Sequence, residues 1–222
     1  MGSHTVQIDV WSDYVCPFCY LVEPTLAQIQ QDGKGKVRIS WHAFELRPDP
    51  VPTLDPNGNY LRDVWERAVY PMAKARGMVL RLPPAQPRSR LAHEAAAFAR
   101  EEGRFESMNH ALFRAFFEHG EDIGQLPVLE DLAASAGLER RGLSAALQSG
   151  KYREQVLKDQ ETAHQLGLSG VPASLIRAAG EPIERAILVE GTQPVDVFRE
   201  VVARANHGTG VNSGRRGLER RD

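Results

Sequence analysis

With 222 residues, 42% of them hydrophobic, the chain is long enough to bury a sizeable core, either as one domain or as a domain carrying an insertion. A formal net charge of −2 excludes a global electrostatic pull toward nucleic acid or an anionic membrane surface. No apolar run approaches bilayer-spanning length, and M-G-S-H-T-V enters the first apolar run without a signal-peptide core; no membrane partner and a cytoplasmic location are therefore expected.

In chain order, residues 6–10 place Val6, Ile8 and Val10 at alternating positions and predict a strand, and residues 21–31 predict a helix. Between them the stretch W-S-D-Y-V-C-P-F-C-Y at 11–20 holds the only two cysteines, Cys16 and Cys19. The pair thus sits where a strand hands over to a helix. A helix N-terminus offers unpaired N–H groups and the positive end of the dipole, which favour a negatively charged sulfur, so Cys16 is the better-placed nucleophile. Pro17 suits a first helical turn, where its missing N–H costs nothing. Cys19 follows about one turn later on the same face, near enough to close a disulfide with Cys16. Pro24, well inside the helix, should kink it.

Residues 37–44 (V-R-I-S-W-H-A-F) alternate again and predict a second strand beside the first. The prolines and N-G of R-P-D-P-V-P-T-L-D-P-N-G-N at 47–59 end regular structure and leave the sheet. From residue 60 to about 167 the pattern is helical, with Leu61, Val64, Trp65 and Val69, then Leu91, Ala95 and Phe98, then Met108, Leu112, Phe113 and Phe116 at helical spacing. Proline and glycine breaks divide this block into roughly five or six helices. Its aromatic stripe is better explained by packing between helices than by a cofactor box. Strands return at 170–176 and 183–189 around the turn A-A-G-E-P, and residues 194–205 predict a closing helix. Beyond Asn206 the chain is glycine-rich and basic and reads as a solvated tail.

Three chemistries fit a lone C-x-x-C pair. As half of a zinc site it would need two histidines, yet no H-x(3–5)-H pair exists among His42, His93, His110, His119, His164 and His207, so no metal is expected. As an inert pair the cysteines would pack as small hydrophobes. The strand-to-helix context and the intervening proline favour the third, a redox couple cycling between dithiol and disulfide. Asp13, three residues before Cys16, is open between tuning the site and capping the turn. His42, His93 and Glu45 are similarly open between approaching the site and plain structural roles.

The S-D-Y-V-C-P-F-C segment resembles the active site of the DsbA-like branch of the thioredoxin superfamily, and within it the FrnE-like dithiol–disulfide oxidoreductases. W-H-A-F-E-L-R-P at 41–48, R-L-A-H at 90–93, A-L-F-R-A-F-F-E-H-G-E-D-I-G at 111–124 and G-L-S-G-V-P-A-S at 167–174 are similar to that group in wording and order. The pairing of C-P-x-C with a distant G-V-P is far more specific than either motif alone. The resemblance implies an α/β, thioredoxin-like fold with an all-helical insertion: residues 5–58 and 168–206 as the two halves of the thioredoxin-like domain, 59–167 as the insertion and 207–222 as a flexible tail. It implies Cys16 and Cys19 as the catalytic pair, supported by Pro17 and Phe18, and a cis Val171–Pro172 bond facing them. The backbone of Val171 would then pair with an extended substrate segment. Phe18 stands where the periplasmic oxidase of this family carries a histidine, which implies a weaker oxidant. Partners would be protein or small-molecule thiols and disulfides and an unidentified redox partner, with no cofactor beyond the redox-active disulfide and glutathione as a candidate co-substrate. Two other functions stay open: a glutathione-dependent isomerase or transferase like the chromene-carboxylate isomerases and kappa-class transferases, and a redox-switched binding protein without enzymatic activity.

Overall fold

Strand β1 (Val6–Ser12) occupies the middle of the sheet because both of its faces are covered. Along it Val6, Ile8 and Val10 point to one side, and Gln7, Asp9 and Trp11 to the other, as the two-residue strand period requires. A computed structural model describes residues 5–206 of the chain; the predicted tail at 207–222 lies outside them. Helix α1 (Pro17–Asp32) carries the chain to β2 (Val37–Ala43), which runs parallel to β1 in the register Val6 to Val37 through Ser12 to Ala43. On its other side β1 pairs antiparallel with β3 (Ala173–Ala178), and β3 with β4 (Ile187–Glu190), giving the order β2-β1-β3-β4. Helix α9 (Val195–Asn206) closes the described chain. Val6, Ile8 and Val10 pack with Val22, Leu26 and Ile29 of α1 and with Phe198 and Val201 of α9, which makes the first core layer.

Between β2 and β3 the chain is helical: α2 (Asn59–Val64), a π-helical turn at Trp65–Val69, α3 (Tyr70–Ala75), α4 (Arg90–Glu101), α5 (Phe105–Phe117), α6 (Leu126–Ser135), α7 (Arg140–Ser149) and α8 (Arg153–Gln165). The block thus has seven α-helices where five or six were expected, the segment 59–75 being split by the π turn. Leu112, Phe113, Phe116 and Phe117 are fully or almost fully buried, as the helical stripe predicts, and their cluster includes Cys16 and Cys19. The predicted arrangement of sheet and helices is therefore the observed α/β, DsbA-like thioredoxin fold.

Several boundaries differ from the sequence reading: β1 extends to Ser12 rather than residue 10, and β3 spans Ala173–Ala178 rather than 170–176. Helix α1 begins at Pro17 rather than at residue 21, because proline already has helical φ at the first position, and it continues through Pro24 without a break. Strand β2 ends at Ala43 and not at Phe44, whose N–H still reaches Ser12 O at 3.0 Å. Strand β4 begins only at Ile187, because Ile183–Arg185 winds into a 3₁₀ turn.

The face of β1 opposite α1 holds a charged network where an apolar one would be expected. Asp9 is buried and binds Arg177 of β3 at 2.5 Å and His42 of β2 at 3.1 Å, while His42 also meets Asp159 of α8 at 3.2 Å. Trp11 stacks on His42 with ring centres 4.5 Å apart. Burial pushes the Asp9 carboxyl up, but the His42 hydrogen bond and the Arg177 guanidinium outweigh it and hold the group below its ordinary range. Burial pulls His42 down, and its bonds to Asp159 and Asp9 outweigh that and raise it. The stabilisation from Asp9 is therefore complete above its unfolded pKa of about 3.9 and is lost as pH falls through the lowered folded value. That from His42 is complete below about 6.5 and is lost as pH rises through the raised folded value. Urea unfolding should show wild-type stability declining on both sides of about pH 5, and His42→Gln should make the alkaline decline shallower, with His110 beside Glu23, also raised, keeping the remainder. An unchanged alkaline slope in that variant would assign it to another group.

Candidate active site

Cys16 is the residue that precedes α1, in extended conformation, and Pro17 follows in the first helical turn. The Cys16 N–H bonds Asp13 O at 3.1 Å, and Cys19 N–H bonds Cys16 O at 3.1 Å, so a tight turn and the first helical turn hold the two sulfurs. Both cysteines are in the free thiol state. Cys16 Sγ donates to Val171 O at 3.6 Å, which joins the start of α1 to the entry of β3 across 155 positions of sequence. The Val171–Pro172 bond is cis, as the resemblance implies; Asp49–Pro50 is a second cis bond that sequence reasoning missed.

The two sulfurs are not equivalent. Cys19 has no exposed surface, whereas Cys16 retains 3%. Burial above all, and then the neighbouring Cys16, push the Cys19 thiol well above its ordinary range, against the Asp13 N–H that it accepts at 3.4 Å and the Ser12 side chain. Cys16 is therefore the outer sulfur, at the helix N-terminus, and Cys19 the inner one.

A loop from the far end of the chain closes over the pair. Gly191 N–H bonds Pro172 O at 2.8 Å, from a backbone φ of +70° that favours glycine. Next to it Thr192 Oγ1 donates to Phe18 O at 2.9 Å, and Arg76, just after α3, donates to Thr192 O at 3.4 Å. Sequence reasoning missed Thr192 and Arg76, because nothing local marks either residue.

Asp13, left open by the sequence, is completely buried and ties the turn together: its carboxylate accepts Val15 N–H at 3.3 Å and Leu46 N–H at 2.7 Å, with His93 Nε2 at 3.5 Å. His93 thus lies next to the turn that carries the sulfurs. Glu45 and His42 belong elsewhere. Glu45 is buried and paired with Arg90 at 2.5 Å, and its backbone N–H bonds the buried Gln160 of α8 at 2.6 Å; His42 is held between Asp9 and Asp159. The sequence reading passed over Asp9, Asp159 and Gln160, although an aspartate inside an alternating apolar strand was a usable signal.

A cavity of about 20 Å³ lies between β1, β2, α4 and α8, lined in part by Ser12, Tyr14, His42, His93 and Arg100. Among the described residues no group of His, Cys, Asp and Glu is arranged to hold a metal, and no helix is long and apolar enough to cross a membrane. Chemically, the arrangement offers an outer sulfur beside a backbone acceptor and an inner sulfur one turn away.

Residues 7–203 match the DSBA-like thioredoxin domain. An uncharacterized protein of Bacillus subtilis, YwbO, is 33% identical over 206 residues, covering 90% of this chain and 96% of its own. A probable DsbA oxidoreductase from Streptomyces coelicolor has a similar structure, with a TM-score of 0.76 at 24% identity over 94% of this chain and 93% of that one. So has the cytosolic disulfide reductase DsbM from Pseudomonas aeruginosa, with a TM-score of 0.67 at 21% identity over 89% of this chain and 98% of that one; its structure is also known with GSH. A 2-hydroxychromene-2-carboxylate isomerase shares the fold at a TM-score of 0.73 and 17% identity, over 89% of this chain and 95% of that one.

Proposed function

This chain belongs to the DSBA-like thioredoxin domain family, and from that premise we propose that it is a thiol–disulfide oxidoreductase cycling Cys16 and Cys19 between dithiol and disulfide. The observation that carries the reading is the inequality of the two sulfurs: Cys16 stands at the start of α1 against Val171 O, and Cys19 is fully buried one turn behind it. In the reducing direction the Cys16 thiolate attacks a substrate disulfide, one substrate thiolate leaves, and Cys19 displaces the second substrate sulfur to close the Cys16–Cys19 disulfide. In the oxidising direction a substrate thiolate attacks Cys16, Cys19 leaves as thiolate, and a second substrate thiol resolves the mixed disulfide.

Pro17 sets the first turn of α1, while Val171 and Pro172 are the surface against which an extended substrate segment lies. Phe18 between the sulfurs supplies no imidazolium, which makes the disulfide a weaker oxidant than that of the periplasmic enzyme. We place the chain in the FrnE-like group, acting in the cytoplasm on protein or small-molecule thiols, with glutathione as co-substrate and no metal or further cofactor. The shared fold of the chromene-carboxylate isomerase supports a second reading, a glutathione-dependent isomerase. The paired Cys16 and Cys19 weigh against it, because the relatives of that type that this chain resembles use a serine near this position.

Equilibration in glutathione buffers followed by thiol trapping tests the proposal. A defined two-electron midpoint between dithiol and disulfide is expected, less oxidising than that of the periplasmic oxidase. A chain that never forms the internal disulfide would favour the isomerase. Oxidation that alters binding of a partner, with no disulfide exchanged, would make it a redox-switched binder.

A further inference from the structure

Closing the disulfide requires a thiolate at Cys19, and the surroundings of that sulfur oppose one. Cys19 is completely buried, so its proton has no direct route to bulk water and needs an internal acceptor. A cavity of about 20 Å³, large enough for one water, is lined by both Ser12 and His93. The Ser12 side chain also hydrogen-bonds the Cys19 sulfur. His93, on α4, is 6% exposed, and its Nε2 is buried without a hydrogen-bond partner, 3.5 Å from Asp13 Oδ1. Asp13, in turn, gives its own N–H to Cys19 Sγ. One residue therefore touches the inner sulfur with its backbone and the unpartnered imidazole with its carboxylate.

We propose that His93, paired with the Asp13 carboxylate, is the proton acceptor for Cys19, reached through Ser12 and the cavity that Ser12 and His93 both line. The inference rests on the dithiol cycle proposed above. In the resolving step the Cys19 S–H bond breaks and the proton passes to the His93 imidazole. The Cys19 thiolate attacks Cys16 Sγ, the bond from Cys16 to the substrate sulfur breaks, and the substrate leaves as thiolate. The products are the Cys16–Cys19 disulfide, the substrate thiolate and an imidazolium held against Asp13. When the disulfide is reopened, the imidazolium returns the proton to Cys19.

Several of the other polar groups around the cavity have partners. Tyr14 O–H donates to Asn109 of α5 at 2.9 Å, Arg100 of α4 donates to Trp41 O at 2.6 Å, and His42 and Asp159 bind each other. The charged groups that share the cavity with His93 are Arg100 and Asp159, and the carboxylate facing its Nε2 is that of Asp13 at 3.5 Å. An imidazole is also the side chain whose ordinary titration lies nearest neutral pH, which suits a group that takes and returns a proton each cycle.

Rapid-quench thiol trapping with oxidised glutathione as the probe separates the two steps: formation of the Cys16–glutathione mixed disulfide and its resolution by Cys19. In His93→Gln the first step should keep its wild-type rate, and the second should slow at least about tenfold. The pH dependence of the second step should also change in this variant. A purely structural role for His93 would disturb both steps and leave the pH profile of the second in place, so an unchanged profile overturns the proposal. Should His93→Gln be recovered unfolded, Ser12→Ala decides: a slower second step supports the route, and a wild-type rate overturns it. A wild-type protein that forms the mixed disulfide and never resolves it would overturn the dithiol cycle itself, an outcome distinct from a normal second step in His93→Gln.

Discussion

Replacing Cys16 by serine should abolish exchange, with insulin disulfide reduction falling to background, roughly a hundredfold or more below wild type. The expectation follows from geometry. Cys16 immediately precedes the first turn of α1, and its sulfur lies against Val171 O at the entry of β3. No other sulfur of the pair can receive a substrate, because Cys19 has no exposed surface. Cys19→Ser should behave differently: activity is also lost, but Cys16 still attacks, and the product is a stable mixed disulfide with glutathione. Mass spectrometry after incubation with oxidised glutathione distinguishes the two, with one glutathione adduct expected on Cys19→Ser and none on Cys16→Ser. A lasting adduct at Cys19 in the Cys16→Ser variant would reverse the assignment of outer and inner sulfur.

Phe113→Ala should be the most destabilising single change near the site. Phe113 has no exposed surface and lies between Tyr14, at 4.9 Å between ring centres, and Tyr20, at 5.3 Å, so it supports both ends of the segment that carries the cysteines. Removing a buried phenylalanine costs about 3–5 kcal/mol through lost transfer energy and the cavity left behind. At about 2–4 °C per kcal/mol for a chain of this size, the melting temperature should drop by roughly 10 °C. Because Tyr14 and Tyr20 flank the cysteine segment and share its core cluster with Phe113, the Cys16–Cys19 equilibrium in glutathione buffer should shift as well. A melting temperature within about 2 °C of wild type would mean that the aromatic cluster repacks around the loss.

Much of the site was legible because its parts are neighbours in the chain. The strand before it, the Cys16 and Cys19 spacing, and the proline at the start of α1 all act within one or two turns, the range over which periodicity and capping operate. The helical apolar stripe of α1 begins only at residue 21, since C-P-F-C carries none of its own, so its first turn was marked by Pro17 alone. The π turn at Trp65–Val69 was not legible either, since the stripe from Leu61 to Val69 reads as ordinary helix.

By itself, the sequence determined the order of strands and helices, the apolar face of β1 and the place of the sulfur pair at a strand-to-helix junction; each follows from local residue type and spacing. The tertiary structure decided which polar groups are buried and what they face. Asp9 meets Arg177 from 168 positions away, Ala43 meets Asp159 from 116, and Cys16 meets Val171 from 155. An isolated aspartate, histidine or glutamate reads as a surface residue until a distant strand or helix supplies its partner. Burial of Asp9, Asp13, Glu45 and His93 therefore emerges only when α4, α8 and β3 close on β1 and β2, because a buried charge is tolerable only once those partners are in place.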